Sequence, residues 1–247
     1  MAKYSKWLGG VLGWSFGGPI GAVLGFALGA MFDDKSLSVE EREQRRKEIW
    51  SQRSRGGDFN SALLVLSAAV MKADGKMMKS ELEYIRSYLV KAFGQAIAAE
   101  QIGLLKEILK QDLDVREVSK QIRTALEHPM RLQLLHYLFG IAKADGQVHT
   151  SELNILKTVA YDMGISDKDF DSIKAMFIKD PLAAYTILEI TPEATDEEVK
   201  HAFRRMARKY HPDKLSDVGE DHVKKAQEKF VKVTEAYEQI KKERGIK

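Results

Sequence analysis

Cysteine is absent from the 247 residues. That excludes disulfides, thiolate nucleophiles and cysteine metal sites, and it suits a reducing compartment. Charge of one sign is not in large excess either: 39 basic against 36 acidic residues leave a formal net charge of +3. The balance gives no general argument for nucleic acid or an acidic substrate, so an electrostatic partner has to be sought in local patches. Alternating, strand-like runs are missing, which points to an all-α chain. No GxxxxGK[ST], HExxH or GxSxG pattern occurs, so intrinsic catalysis and a catalytic cofactor have no support.

The longest uncharged stretch opens the chain. "WLGGVLGWSFGGPIGAVLGFALGAMF", residues 7–32, carries Gly9, Gly13, Gly17, Gly21, Gly25 and Gly29 at strict intervals of four. About twenty apolar residues suffice to span a bilayer as a helix. Small residues four apart let two backbones approach closely in lipid, so the glycine face is a candidate homodimer contact. In water each glycine costs about 1 kcal/mol relative to alanine, which disfavours an exposed soluble helix. Pro19 removes a backbone donor in mid-stretch, so a kinked single span is preferred over a hairpin that only dips into the membrane. Lys3 and Lys6 precede the stretch, while Lys35, Arg42, Arg45, Arg46 and Lys47 follow it. The larger positive cluster keeps the bulk of the chain cytoplasmic. A cleaved signal peptide is the rival reading, with a poor cleavage site at Ala27-Leu28-Gly29.

A charged segment follows, with Ser38 and Glu41 spaced as a capping box for a helix towards Trp50, and Gly56-Gly57 ends it. From there to about residue 180, apolar residues recur at intervals of three and four. "KADGKMMKSEL" at residues 72–82 returns as "KADGQVHTSEL" at residues 143–153, identical at seven of eleven positions. Each copy reads as a helical hairpin, with a left-handed glycine ending one helix and Ser80 or Ser151 capping the next. Asp74, Glu81, Asp145 and Glu152 occupy equivalent places. Four carboxylates brought together could hold a hard cation, although turn-shaping and helix N-terminal roles are the simpler expectation. His136 within "LQLLHYLFGIA" is expected in the core, and Met77 and Met78 are expected to pack at their turn.

The last segment contains one helix with two faces. Val199, Phe203, Met206 and Tyr210 form an apolar stripe; Lys200, Arg204 and Arg208 form a cationic one, with Arg205 and Lys209 beside it. Thr195 and Glu198 are spaced as a capping box. The helix runs into His211-Pro212-Asp213, where proline holds a bend flanked by a ring nitrogen and a carboxylate. His128-Pro129-Met130 is an internal control, lacking both the aspartate and the stripe. The cationic stripe is short and without stacking aromatics, so nucleic acid is not an expected partner.

"AYTILEITPEATDEEVKHAFRRMARKYHPDKLSD" with "EKFVKVTEAYEQI" resembles the J-domain of DnaJ-type co-chaperones. The resemblance implies that His211, Pro212 and Asp213, with Lys200, Arg204, Arg205, Arg208 and Lys209, dock on a DnaK-type chaperone and stimulate its ATP hydrolysis. Glu189 stands where that family often has glycine. The repeat resembles the TerB-like helical domain of tellurite-resistance proteins and of DjlA-type membrane J-proteins. The whole order resembles the DjlA-type co-chaperones: a glycine-rich membrane anchor over 1–35, a charged linker over 36–57, a TerB-like domain over 58–180 and a J-domain over 181–247. The implied protein is a non-enzymatic co-chaperone of the bacterial inner membrane, single-pass, whose TerB-like domain binds an unknown client or partner. The alternative is a stress or metal-binding membrane adaptor with an accessory J-domain.

Overall fold

The computed structural model describes residues 5–31, 55–73, 75, 78–178, 180–214 and 220–246. The expected Ser38–Glu41 capping box, Asp74 and Met77 lie outside the described residues. Among those described there is no strand, and the fold is all-α.

The first helical stretch, α1 (Ser5–Met31), is two helices. Gly18 between them has φ 60° and ψ −153°, a conformation that only glycine adopts readily. The chain therefore reverses where a kink was expected. Pro19 starts the second helix, a place where its missing N–H is harmless. The two backbones touch: a Cβ on Gly13 would lie 1.9 Å from the Gly21 carbonyl oxygen. Two members of the glycine stripe thus serve an intrachain contact. Two glutamine side chains satisfy the polar groups that the break exposes. Gln121 Oε1 accepts from Ile20 N at 2.9 Å, its Nε2 donates to Gly17 O at 2.6 Å, and Gln111 Nε2 donates to Val23 O at 3.1 Å. Ile20, Ala27 and Leu28 are buried, while Val11 and Trp14 face outward. Each arm is about 13 residues and so about 20 Å long. Among the described residues no helix is long and apolar enough to cross a membrane.

The middle of the chain is built around α2 (Arg55–Met71) and α5 (His128–Ala142). Both are buried on nearly every face, as helices apolar all round must be. Ser67 and Tyr137 hydroxyls join them at 3.0 Å, and Tyr88 packs on the Tyr137 ring at 4.4 Å. Around this pair lie α3 (Lys79–Leu109, broken at Gly94 with φ 77°), α4 (Val115–Ala125), α6 (Thr150–Asp162) and α7 (Asp167–Ala175). α1 packs against α2, α3 and α4.

The sequence repeat is a structural repeat, α2–turn–α3 and α5–turn–α6. Gly75 and Gly146 both have positive φ, 73° and 99°, and their N–H groups donate to Lys72 O and Lys143 O. The caps differ from the expectation. Ser80 and Ser151 lie inside the first turns, since α3 starts at Lys79 and α6 at Thr150. The glutamates one place further on close the ends instead: Glu81 accepts from Met78 N and Glu152 from His149 N, each at 2.8 Å.

The C-terminal segment contains α8 (Ala183–Ile187), α9 (Asp196–Lys209) and α10 (Glu220–Arg244). α9 and α10 pack together through Val199, Ala202 and Met206 against Val233, Ala236 and Ile240, all buried. Phe203 stacks on Tyr237 with centroids 4.3 Å apart.

Candidate functional site

The His-Pro-Asp corner is held from both ends of α9. At its start Thr195 and Glu198 form the expected capping box: Glu198 Oε2 accepts from Thr195 N at 2.7 Å and Thr195 Oγ1 accepts from Glu198 N at 3.3 Å. At its end Tyr210 is buried, so the backbone leaves the helix with His211 turned outward. Asp213 N donates to His211 Nδ1 at 3.3 Å, and the carboxylate lies 3.4 Å from the same nitrogen. The imidazole meets the Phe230 ring edge-on at 6.0 Å. The side chains of His211 and Asp213 keep 49% and 88% of their surface exposed. The result is a fixed bend presenting a ring and a carboxylate to solvent.

The five cations of α9 divide into the stripe and the two residues beside it. Arg204 and Arg208 are exposed with no ion pair among the described residues, and Lys200 reaches only its own-helix neighbour Glu197 at 3.3 Å. Arg205 and Lys209, one place further round the helix, reach towards the α8 end, Arg205 with 45% of its side-chain surface still exposed and Lys209 with 24%. Arg205 Nη2 donates to Leu188 O at 3.0 Å and lies 3.7 Å from Glu189 Oε2. Lys209 Nζ lies 2.6 Å from Glu189 Oε1 and also pairs with Asp169 on α7. Lys200, Arg204 and Arg208 thus form one stripe, and Arg205 and Lys209 beside it are drawn towards Glu189. The apolar stripe of α9 turns these two positions towards α7 and the α8 end.

Glu189 is the non-glycine residue with positive φ, 58°, among those described. It closes α8 in the left-handed conformation, its N–H donating to Thr186 O and that of Ile190 to Tyr185 O. That geometry explains why glycine suits the position. The glutamate's return for its strain is the carboxylate it places beside Arg205 and Lys209.

Asp169 is the carboxylate behind this arrangement. Burial alone raises its pKa, but hydrogen bonds with His128, Lys209 and Ser166 outweigh burial and hold it below the ordinary carboxylate range. Ser166 Oγ donates to it at 2.8 Å, and His128 Nε2 is 3.5 Å away. His128 of the control motif is thus spent on a local contact. Nearby, Lys229 of α10 is buried, its ammonium 5.1 Å from the Tyr210 ring centroid, and burial pushes it down to about 7.

Sequence reasoning missed Asp169, Lys229 and Arg244. Arg244 donates to Tyr185 Oη, Pro192 O and Ala194 O and stacks on Tyr185, closing α8 and the start of α9 against the end of α10. A cation near a C-terminus carries no local signal of such a role.

Three of the four carboxylates of the repeat, Glu81, Asp145 and Glu152, are occupied locally, and Asp74 lies outside the described residues. Glu81 and Glu152 close their helices, and Asp145 accepts from Gln147 N and from the His149 ring. Those two bonds, the Gln147 one first, lower the Asp145 pKa. Among the described residues no three histidine or acidic side chains converge as a metal site. His136 is in the core against Phe177 at 4.7 Å, and Met78 is exposed at the head of α3.

Comparison with known proteins matches three family models along the chain. "Co-chaperone DjlA transmembrane domain" covers residues 1–49, "Tellurite resistance protein TerB" residues 60–175 and "DnaJ domain" residues 183–246. Three similar proteins carry the description co-chaperone protein DjlA. That of Coxiella burnetii is 28% identical over 273 aligned residues, covering 98% of each chain. That of Photobacterium profundum is 26% identical over 99% of this chain and 100% of its own. That of Vibrio parahaemolyticus is 27% identical over 80% of this chain and 82% of its own. No solved structure matches.

Proposed function

Since this chain belongs to the DjlA-type co-chaperones, J-domain proteins with a membrane anchor and a DnaK-type partner, we propose that it recruits DnaK and stimulates its ATPase through His211, Pro212 and Asp213. The observation that carries this reading is the exposed, internally braced corner at the end of a helix whose outer face holds Lys200, Arg204 and Arg208. The J-domain does no chemistry itself. Its contacts favour one conformation of the partner over another, which is sufficient to change the partner's turnover.

The TerB-like domain is the client or partner module in this reading, and the bulk of the chain lies on the cytoplasmic side of the bacterial inner membrane. Straightened at Gly18, the 27 residues of α1 reach about 40 Å, enough for a single pass. A homodimer through the glycine stripe requires that straightened form, because Gly13 and Gly21 face each other in the hairpin.

His211→Gln tests the mechanism. It is expected to leave helicity and thermal stability unchanged, because the ring is exposed, and to abolish stimulation of DnaK ATPase in a single-turnover assay. Stimulation equal to wild type would refute the role of the corner.

A further inference from the structure

The residue immediately before the His-Pro-Asp corner and the one before that are both gripped from outside the J-domain core. Lys209 pairs with Asp169 of α7, and Tyr210 is buried in the seam between α7 and α10. The seam is continued by Ser172 Oγ of α7, which donates to Ile187 O of α8 at 2.9 Å. It continues further in the packing of α10 on α3. Asp169 and Glu189 keep only 7% and 11% of their side-chain surface, so little water competes for the ammonium between them. The Lys209 side chain itself is 24% exposed.

We propose that Asp169 of the TerB-like domain, with Glu189, forms an autoinhibitory clamp on Lys209, which the DnaK-type partner must displace to engage the whole cationic side of α9. The inference rests on the DnaK reading above. A partner that reads a cationic stripe must itself present carboxylates, and these are the groups that can replace Asp169 on Lys209. In the clamped form Lys200, Arg204 and Arg208 are offered together with Arg205, which stays 45% exposed, and Lys209 is withheld. On release Lys209 joins them, Arg205 loses the neighbour that held Glu189 in place, and the root of the corner is freed from α7. The TerB-like domain thereby sets how readily the J-domain works, and any ligand that moves α7 acts on the same contact.

The full-length chain has no cysteine, so spin labels on introduced cysteines report without background. Labels at Tyr161→Cys and Glu238→Cys, both exposed, measure the separation of the TerB-like domain from α10. In Asp169→Asn the distance distribution is expected to broaden. The concentration giving half-maximal stimulation of DnaK ATPase is expected to fall about two- to five-fold, as for loss of one charge pair, with the maximum unchanged. Glu189→Gln leaves the TerB-like domain intact and is expected to shift both readouts in the same direction. Lys209→Gln added to Asp169→Asn is expected to remove the gain. If both single variants keep the wild-type distance and half-saturation, or weaken stimulation while folded, the clamp is refuted. The label distances decide it independently of DnaK, so stimulation that survives His211→Gln would sink the DnaK reading without touching that measurement.

Discussion

Lys229→Met tests whether the interior of the C-terminal domain holds a charge at a cost. Lys229 is 2% exposed and makes no ion pair among the described residues; its ammonium has the Tyr210 ring at 5.1 Å. A fall from the ordinary 10.5 to about 7 corresponds to about 5 kcal/mol between the two protonation states. The ring offsets about 1 kcal/mol of this, and water penetration reduces it further. The direction with pH follows from proton binding. Between about pH 7 and 10.5 the unfolded chain binds a proton at this lysine that the folded chain does not, so wild-type stability rises with pH across that window. Methionine has a similar stem and no charge to desolvate. Lys229→Met is therefore expected to stabilise the protein by about 2–4 kcal/mol at pH 6.5–7, and the advantage is expected to shrink towards zero by pH 10. Urea unfolding of the detergent-solubilised chain, followed by circular dichroism at pH 6.5, 8 and 9.5, measures the difference directly. A difference that is absent at pH 6.5, or the same at all three values, would refute the reasoning.

Three further outcomes follow from particular contacts. Glu189→Ala and Glu189→Gly both remove the carboxylate from Lys209 and Arg205, but only alanine retains the left-handed strain at φ 58°; the glycine variant is expected to be about 1 kcal/mol the more stable in chemical denaturation, and equal stabilities would contradict that conformation. Gly140→Ala places a Cβ 2.0 Å from the Tyr84 hydroxyl and is expected to cost about 1–3 kcal/mol by forcing α3 from α5; the double variant with Tyr84→Phe should recover part of it, and no recovery would mean a different clash. The lowered pKa of Asp169 makes its contribution to stability complete above the unfolded value, about 3.9, and progressively lost as pH falls below it. Asp169→Asn should therefore flatten the acid limb of the stability curve below about pH 4, and an unchanged limb would show that the carboxylate is not held as described.

Legibility in the sequence followed the range of the interactions. The duplicated hairpins were readable because Asp-Gly turns and amphipathic periods are local: Gly75 and Gly146 adopt the positive φ that the turn chemistry demands. The Thr195–Glu198 box was readable for the same reason, being complete within four residues. The serine caps at 80 and 151 misled because a glutamate three residues into a helix closes the end equally well, and the choice turns on which residue leaves the helical conformation first. The kink expected at Pro19 was drawn to the wrong residue. The reversal is made by Gly18, and it persists because Gln111 and Gln121, about a hundred residues away, hydrogen-bond the loosened backbone.

By itself the sequence determined the helical class, the duplicated middle domain and the His-Pro-Asp corner at the end of a two-faced helix. Each of these is specified by spacing within one or two turns, where backbone geometry leaves few alternatives. Only the tertiary structure decided which cations of that helix face solvent, that Lys229 is buried, and that Asp169 reaches Lys209. These depend on how α7, α8 and α10 pack around α9. The free energy of a charged side chain is set by the carboxylates and the water that packing leaves beside it, and spacing along the chain does not encode those neighbours.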